Sequence, residues 1–270
     1  MRPTRLLRPL GALTLLVLAG CPHPQVARPY APPKAAELVA HLATRAGAIH
    51  SLRADTKVDY LAEKGDRIKV AISFLVAPPD RLHMDAESPL GGSLASLATD
   101  GKTFALLDAR ENRFLTGEAA PCNIARLIRV ELKPADAISV LEGGVPLVEH
   151  PASEEVGWDP TDGGREVLTQ RDAAGRALRI WFAAKDRAWD VVAAEMKGKD
   201  GAVEWRLENE DFSATGALRF PGRTTIVQPA RKADARIRFR SREVNVDVPE
   251  GAFRLEPPAG LTVETVSCGQ

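Results

Sequence analysis

The sequence predicts an α+β fold, a curved antiparallel sheet covered on one face by a few helices, and three observations carry that reading. Between Arg67 and Ala77 every even position is apolar (Ile68, Val70, Ile72, Phe74, Val76) while Arg67, Lys69 and Ser73 take the other face, a period of two that marks a half-buried strand. Further short apolar segments follow, punctuated by Asp100-Gly101, Gly163-Gly164, Ala174-Gly175 and Asp200-Gly201, pairs suited to hairpin turns. Two segments with helical spacing, 124–130 and 134–141, interrupt the strands instead of alternating with them, which argues against βαβ units.

In chain order, the first element is a targeting signal. Arg2, Arg5 and Arg8 form a positive start without an acidic residue, and an apolar run over 10–18 follows. A membrane-spanning helix needs about 20 apolar residues, so this run does not span. It closes on Leu18-Ala19-Gly20-Cys21, a pattern that resembles bacterial lipoprotein precursors. The resemblance implies cleavage before Cys21, acylation of that cysteine, and anchoring by two or three acyl chains at roughly 0.8 kcal/mol per buried methylene. An ordinary secretory signal cut nearby is the alternative, and it leaves an unanchored periplasmic protein. Residues 1–20 are therefore read as signal peptide and 21–33 as lipidated cysteine and tether. Prolines at 22, 24, 29, 32 and 33 suit neither helix nor ladder, so the tether reads as an extended spacer lifting the domain off the membrane. Pro22 stands where enterobacterial lipoproteins carry an inner-membrane retention Asp, so resemblance implies the periplasmic face of the outer membrane.

The remainder, 34–270, reads as one domain, since no second linker follows. Over 34–50, Leu38, Val39, Leu42, Ala46 and Ile49 recur at helical spacing among Glu37, His41 and Arg45, which predicts an amphipathic helix. Strands are predicted at 67–77, 82–86, 94–98, 103–108 and 113–116. After the helices at 124–130 and 134–141 they resume at 166–171, 178–182, 189–196, 203–209, 224–228, 236–240 and 244–248. Arg236-Ile237-Arg238-Phe239-Arg240 shows the one-sided wetting of a sheet with a single covered face. Helices over such a sheet would enclose a hydrophobic concavity, and alternation nominates Ile72, Phe74, Phe104 and Ile180 to line it. Alternation does not distinguish an open cavity from a packed core.

Composition narrows function. Beyond the three signal-peptide arginines, 33 basic residues stand against 36 acidic ones with no basic block, so nucleic acid is not an expected partner. Cys122 and Cys268 remain after Cys21, an even pair in an oxidising compartment; a disulfide or two free thiols both fit. His23, His41, His50, His83 and His150 form no HxxxH or HExxH, and GxSxG and a phosphate-binding glycine loop are absent. The segment Asp159 to Gly164 lacks the spacing of a calcium loop and reads as a surface turn. The carboxylates Glu208, Glu210 and Asp211 read as a solvated strand end. No catalytic residue, metal or cofactor is expected, and the chain is read as a non-enzyme.

One turn is unusual. In Ser88-Pro89-Leu90-Gly91-Gly92 a large apolar residue occupies a position where turns are normally polar. Exposing a leucine forgoes roughly 1.5 to 3 kcal/mol of burial, which makes sense if a membrane or acyl chain receives it; folding back into the core is the alternative.

This turn, the strands and turns over 93–108, and the helix and Gly143-Gly144-Val145-Pro146-Leu147 turn over 134–148 are similar to the LolB/LolA superfamily of periplasmic lipoprotein carriers. The stretch 248–258 resembles the closing F-x-L-x-x-P pattern of related carrier-like lipoproteins. The resemblance implies an unclosed β-barrel with a helical lid over an acyl-chain cavity. It also implies a membrane-inserting or cargo loop at Pro89, Leu90 and Gly91, with acylated lipoproteins or lipid as partners. A periplasmic carrier protein would deliver cargo for localisation to the outer membrane. The chain is longer than a typical LolB, and the sequence offers no position for the soluble carrier's lid-locking arginine. The alternative is a structural or regulatory outer-membrane lipoprotein that uses the same fold, with a solid interior, to bind a protein partner.

Overall fold

The structure is a computed structural model that describes residues 26–61, 65–88, 91–184 and 188–269. After helix α1 (Ala35–Gly47) the chain lays down a meander of β1 (Leu52–Leu61), β2 (Arg67–Ala77), β3 (Arg81–Glu87), β4 (Ser93–Thr99), β5 (Thr103–Asp108) and β6 (Arg113–Glu118). Helices α2 (Pro121–Ile128) and α3 (Pro134–Leu141) cross over to a second meander, β7 (Ser153–Asp159), β8 (Arg165–Arg171), β9 (Ala177–Ala183), β10 (Val191–Lys197) and β11 (Val203–Glu210). A small hairpin, β12 (Ser213–Thr215) with β13 (Leu218–Phe220), leads to β14 (Arg223–Gln228), β15 (Ala233–Val244) and β16 (Val263–Val266).

The two meanders fuse where β1 pairs with β15, placing Val58 opposite Ile237. The result is one 14-stranded curved sheet in the order β16-β6-β5-β4-β3-β2-β1-β15-β14-β11-β10-β9-β8-β7, with β12 and β13 as a separate pair. Its outer strands, β16 and β7, do not meet, so the barrel stays unclosed. Register keeps one apolar face continuous. Leu115, Leu106, Leu97, Met84, Phe74 and Ala54 stand side by side across the first half. Leu168, Ile180, Ala194, Leu207, Ile226 and Ala235 do so across the second. All twelve are buried.

Several details differ from the sequence reading, each for a local reason. Strand β1 escaped notice because Ala54 and Thr56 dilute its inward positions; Thr56 is tolerated inside because its Oγ1 donates to the Ile72 carbonyl at 2.8 Å. Strand β7, an edge, carries only Val156 and Trp158 as large apolar residues. The two strands expected at 236–240 and 244–248 are one strand, and it ends at Val244 because Asn245 turns left-handed (φ 57). The Asn245 side chain closes the chain back on α1: its Oδ1 accepts from the His50 amide at 2.8 Å and its Nδ2 donates to the Ala48 carbonyl at 3.0 Å. The sheet is also not purely antiparallel, since β16 runs parallel to β6, tied by Arg113 to Glu264 at 2.7 and 3.0 Å.

Cys122, in the first turn of α2, is joined by a disulfide to Cys268, just after β16, across 146 residues of sequence with Cα atoms 5.8 Å apart. A loop of that length corresponds to about 5 kcal/mol of chain entropy removed from the unfolded state, an upper bound. Replacing both cysteines with serine is expected to lower stability by about 2–5 kcal/mol, seen as a lower urea midpoint. An unchanged midpoint would show that the tail and α2 are fixed without the bond.

Candidate functional site

The inner face of the sheet is covered by the helices: α1 lies over β7, α2 over β4 and α3 over β3. Helices α2 and α3 each open on a proline, whose fixed φ suits a first helical position. Each turns a run of aliphatic residues inward, Ile124, Leu127 and Ile128 from α2 and Ile138, Val140 and Leu141 from α3.

Between these two helices and the sheet lies an enclosed cavity of ≈ 20 Å³. Its wall is apolar: Phe74 and Met84 from one half of the sheet, Ile226 and Ile237 from the other, Ile124 and Val140 from the helices. About one water has that much room, and it would find no polar partner there. An acyl chain enters only if the helices move. Of the residues nominated by alternation, Phe74 belongs to this wall; Ile72, Phe104 and Ile180 are buried on the same face outside it.

Three fastenings hold the two helices down. The disulfide pins the start of α2. The link between α2 and α3 is clamped to the end of β14 by one amide, Gln228, which accepts from the Glu131 N–H at 2.9 Å and donates to the Glu131 carbonyl at 2.8 Å. The end of α3 is held by Arg45 of α1, whose guanidinium donates to the Glu142 carbonyl, a cation at a helix C-terminus.

Around this last fastening is a cluster of buried charge. The guanidiniums of Arg45 and Arg242 both lie 4.6 Å from the centre of the fully buried Phe220 ring. Arg242 also lies 3.8 Å from that of Phe239 and donates twice to the Pro221 carbonyl at 3.1 Å. Burial, and then the charge of Arg45, push Arg242 down to about 9. Burial pushes the Glu142 carboxyl up to about 7, with Arg45 pulling weakly the other way. The Glu142 side chain is 6% exposed and its Oε1 has no hydrogen-bond partner. Gly143 turns left-handed (φ 76), and a Cβ there would sit 2.5 Å from Pro221 Cδ, so the end of α3 packs directly on the link between β13 and β14.

Cys21, Pro89 and Leu90 lie outside the described residues. Gly91 is described: its N–H donates to the Ser88 carbonyl at 3.0 Å and its φ is 87, while the Ser88 N–H donates to Gly92 at 3.0 Å. His83 is half-buried on the outer face, where its Nδ1 meets the Ala252 carbonyl and the Asp85 carboxylate raises its pKa. Among the described residues, no group of three or more His, Cys, Asp or Glu is placed to hold a metal, and no helix is long and apolar enough to cross a membrane.

No protein-family profile matches the sequence, and no curated relative does. Solved structures do match in fold. A putative outer membrane lipoprotein-sorting protein domain from Vibrio parahaemolyticus superimposes with a TM-score of 0.58 at 10% identity, covering 82% of this chain and 97% of that one. A LolA superfamily protein from Nitrosomonas europaea gives 0.53 at 12% identity over 79% and 96%. The fold is LolA/LolB-like. A DUF1329 family protein from Desulfovibrio piger shares it, with a TM-score of 0.59 at 10% identity over 81% and 95%.

Helices α2 and α3 cover the apolar face, and the sequence reading had missed two residues beside them, Arg45 and Arg242. Arg45 was visible only as one polar position on an amphipathic helix. Arg242 was hidden by a β-bulge. Thr56 faces Phe239 but Asp55 faces Ser241, so Arg240 is the extra residue and the inward side switches from odd to even positions. Simple alternation would have put Arg242 in water beside Arg236, Arg238 and Arg240.

The pKa of Glu142 is higher in the folded chain than its ordinary 4.5, so the folded state holds that proton more tightly. The associated stabilisation is complete below about pH 4.5 and disappears as pH rises through 7, roughly 3 kcal/mol in all. Glu142→Gln is expected to flatten this part of the urea-midpoint profile and to be more stable than the parent at pH 8. A variant that keeps the parent's slope between pH 5 and 8 would place the proton elsewhere.

Proposed function

We propose that the chain is a lipid-anchored periplasmic lipoprotein that binds acyl chains of lipoproteins and assists their localisation to the outer membrane, in the manner of LolB. It acts as a binding protein, not an enzyme. The observation that carries this reading is the arrangement of the lid. A largely apolar face spans the sheet, and the two helices over it are fastened covalently at the start of α2, by the Gln228 amide at their link, and, among the described residues, by the Arg45 hydrogen bond and apolar packing at the end of α3. Such a lid can swing from one end and expose a hydrophobic slot without disturbing the sheet. Arg45 then serves as the lid-locking arginine that the resemblance calls for. Cys21 anchors the protein, the Pro89-Leu90-Gly91 turn contacts cargo or bilayer, and a periplasmic carrier supplies the acylated lipoprotein. The LolA-like fold supports this reading.

The closed interior favours one other reading, a structural or regulatory lipoprotein of the same fold that binds a protein partner and never opens. Fluorescent acyl probes separate the two. Removing Arg45 takes away a charge-assisted hydrogen bond of about 1.5–3 kcal/mol from the closed state. If opening limits entry, Arg45→Ala should tighten apparent probe binding by about ten- to a hundredfold, since each 1.4 kcal/mol of closing energy lost raises the open fraction tenfold. No uptake by parent or variant, with folding intact, would favour the partner-binding reading. A photo-crosslinking residue at position 90, with exposed Arg238 as control position, tests the turn: adducts with acylated lipoprotein or phospholipid at 90 alone are expected, and adducts only with a non-acylated protein would remove the insertion role.

A further inference from the structure

The segment just after the anchor does not stand away from the domain. Val26 donates its N–H to the Pro160 carbonyl at 3.0 Å and accepts at its own carbonyl from the Trp158 indole at 2.8 Å. Arg28 lies 5.3 Å from the centre of the Trp158 ring and pairs with Glu166 at 3.0 Å through two nitrogens. Tyr30 meets the Trp158 ring edge-on at 6.5 Å and donates to the Ala184 carbonyl at 3.4 Å. The Glu166 side chain has no exposure at all, so its charge is matched by Arg28 and not by water. A strap whose release strands a buried carboxylate is part of the fold.

This strap lies on one end of the sheet, against the β7–β8 turn and the end of β9. The same end holds Trp158 and Tyr30, whose rings meet edge-on, and Trp181 stands near it on β9. Trp181 is tied there by its indole, which donates to Asp159 at 3.2 Å. These rings are partly exposed, and indole and phenol rings favour sites where one edge is apolar and the other wet. Val26 is 37% exposed, one of two large hydrophobics so open among the described residues. Beside it runs a groove of ≈ 680 Å³ lined by Val26, Tyr30, Trp158, Ala183, Ala184 and Val192. Cys21 is five residues before Val26, so the extended chain between them reaches at most about 18 Å.

We propose that this end of the sheet, built by Val26 to Tyr30, the β7–β8 turn and the end of β9, is the surface the protein lays on a lipid bilayer, with the strap fixing the acylated residue beside it. The proposal rests on acylation of Cys21 and goes beyond lid function, because it sets how the domain is oriented on the membrane. The short reach keeps this rim at the lipid surface, and the exposed valine, the groove and the Tyr30–Trp158 ring pair suit the boundary between headgroups and chains.

The test uses the full acylated chain in vesicles of phosphatidylethanolamine and phosphatidylglycerol, its acylation verified by mass. An environment-sensitive fluorophore is placed on Thr161→Cys in the β7–β8 turn or on Ala174→Cys in the β8–β9 turn, at the opposite end of β8. Lipids brominated near the headgroup are expected to quench position 161 several-fold more than 174. Equal quenching, or more at 174, overturns the orientation. Arg28→Ala combined with Glu166→Gln releases the strap without leaving an unpaired buried charge, and should collapse the contrast while the far-ultraviolet circular dichroism stays that of the parent. A contrast that survives release overturns the strap's part. An unacylated mass overturns the proposal together with its premise, whereas probe uptake under the lid, measured separately, bears on the carrier reading alone.

Discussion

A single constraint organises this molecule: a sheet of 14 strands with one largely apolar face has to hide that face without closing on itself. Open sheets beyond about ten strands curl or split, because strand twist accumulates, and here the curl wraps the oily side inward. Curling alone leaves the slot above the sheet open to water, so helices must cover it. The edges need protection as well. Strand β16 is guarded by the disulfide beside it and the Arg113–Glu264 pair, and β7 carries Glu154 and Glu155 along its exposed edge.

The cover is built asymmetrically. One end of the lid is covalent and the middle is clamped by the Gln228 amide, while the far end depends on a guanidinium that meets a carbonyl in a poorly hydrated place. Two cations share the surface of Phe220, and burial raises the pKa of the neighbouring Glu142 carboxyl to about 7. Charge so buried adds little net stability compared with apolar packing, but it answers to small changes at its surroundings.

Much of this was legible in the residue pattern. The period of two in β2, the hairpin glycines and the helical spacing of α3 are local properties, and local properties survive in a single sequence. What stayed hidden depends on distant partners. Strand β1 is a strand because β2 and β15 flank it, not because Ala54 or Thr56 prefer one. Arg242 faces inward only because one extra residue, Arg240, interrupts the pairing with β1. The pairing of β16 with β6 brings together residues 263 and 114, which no window along the chain can connect. The likeness to LolA-type structures at 10 to 12% identity is of the same kind: it shows in the fold, at an identity that leaves few residues in common.

The proline-rich segment shows how a sound local inference can still miss the role of a stretch of chain. Prolines at 29, 32 and 33 do keep it out of helix and sheet, as their fixed φ requires. Extended backbone, however, presents every side chain and every free N–H and carbonyl to whatever lies alongside. Around those prolines stand Val26, Arg28 and Tyr30, and the folded domain offers each of them a partner: the backbone of Pro160, the buried carboxylate of Glu166 and the carbonyl of Ala184. Proline stiffness lowers the entropy lost when such a segment docks, so the composition that reads as a spacer also favours a strap. Whether a tether spaces or straps is set by the surface it passes, and here that surface holds a buried carboxylate that the tether's Arg28 pairs.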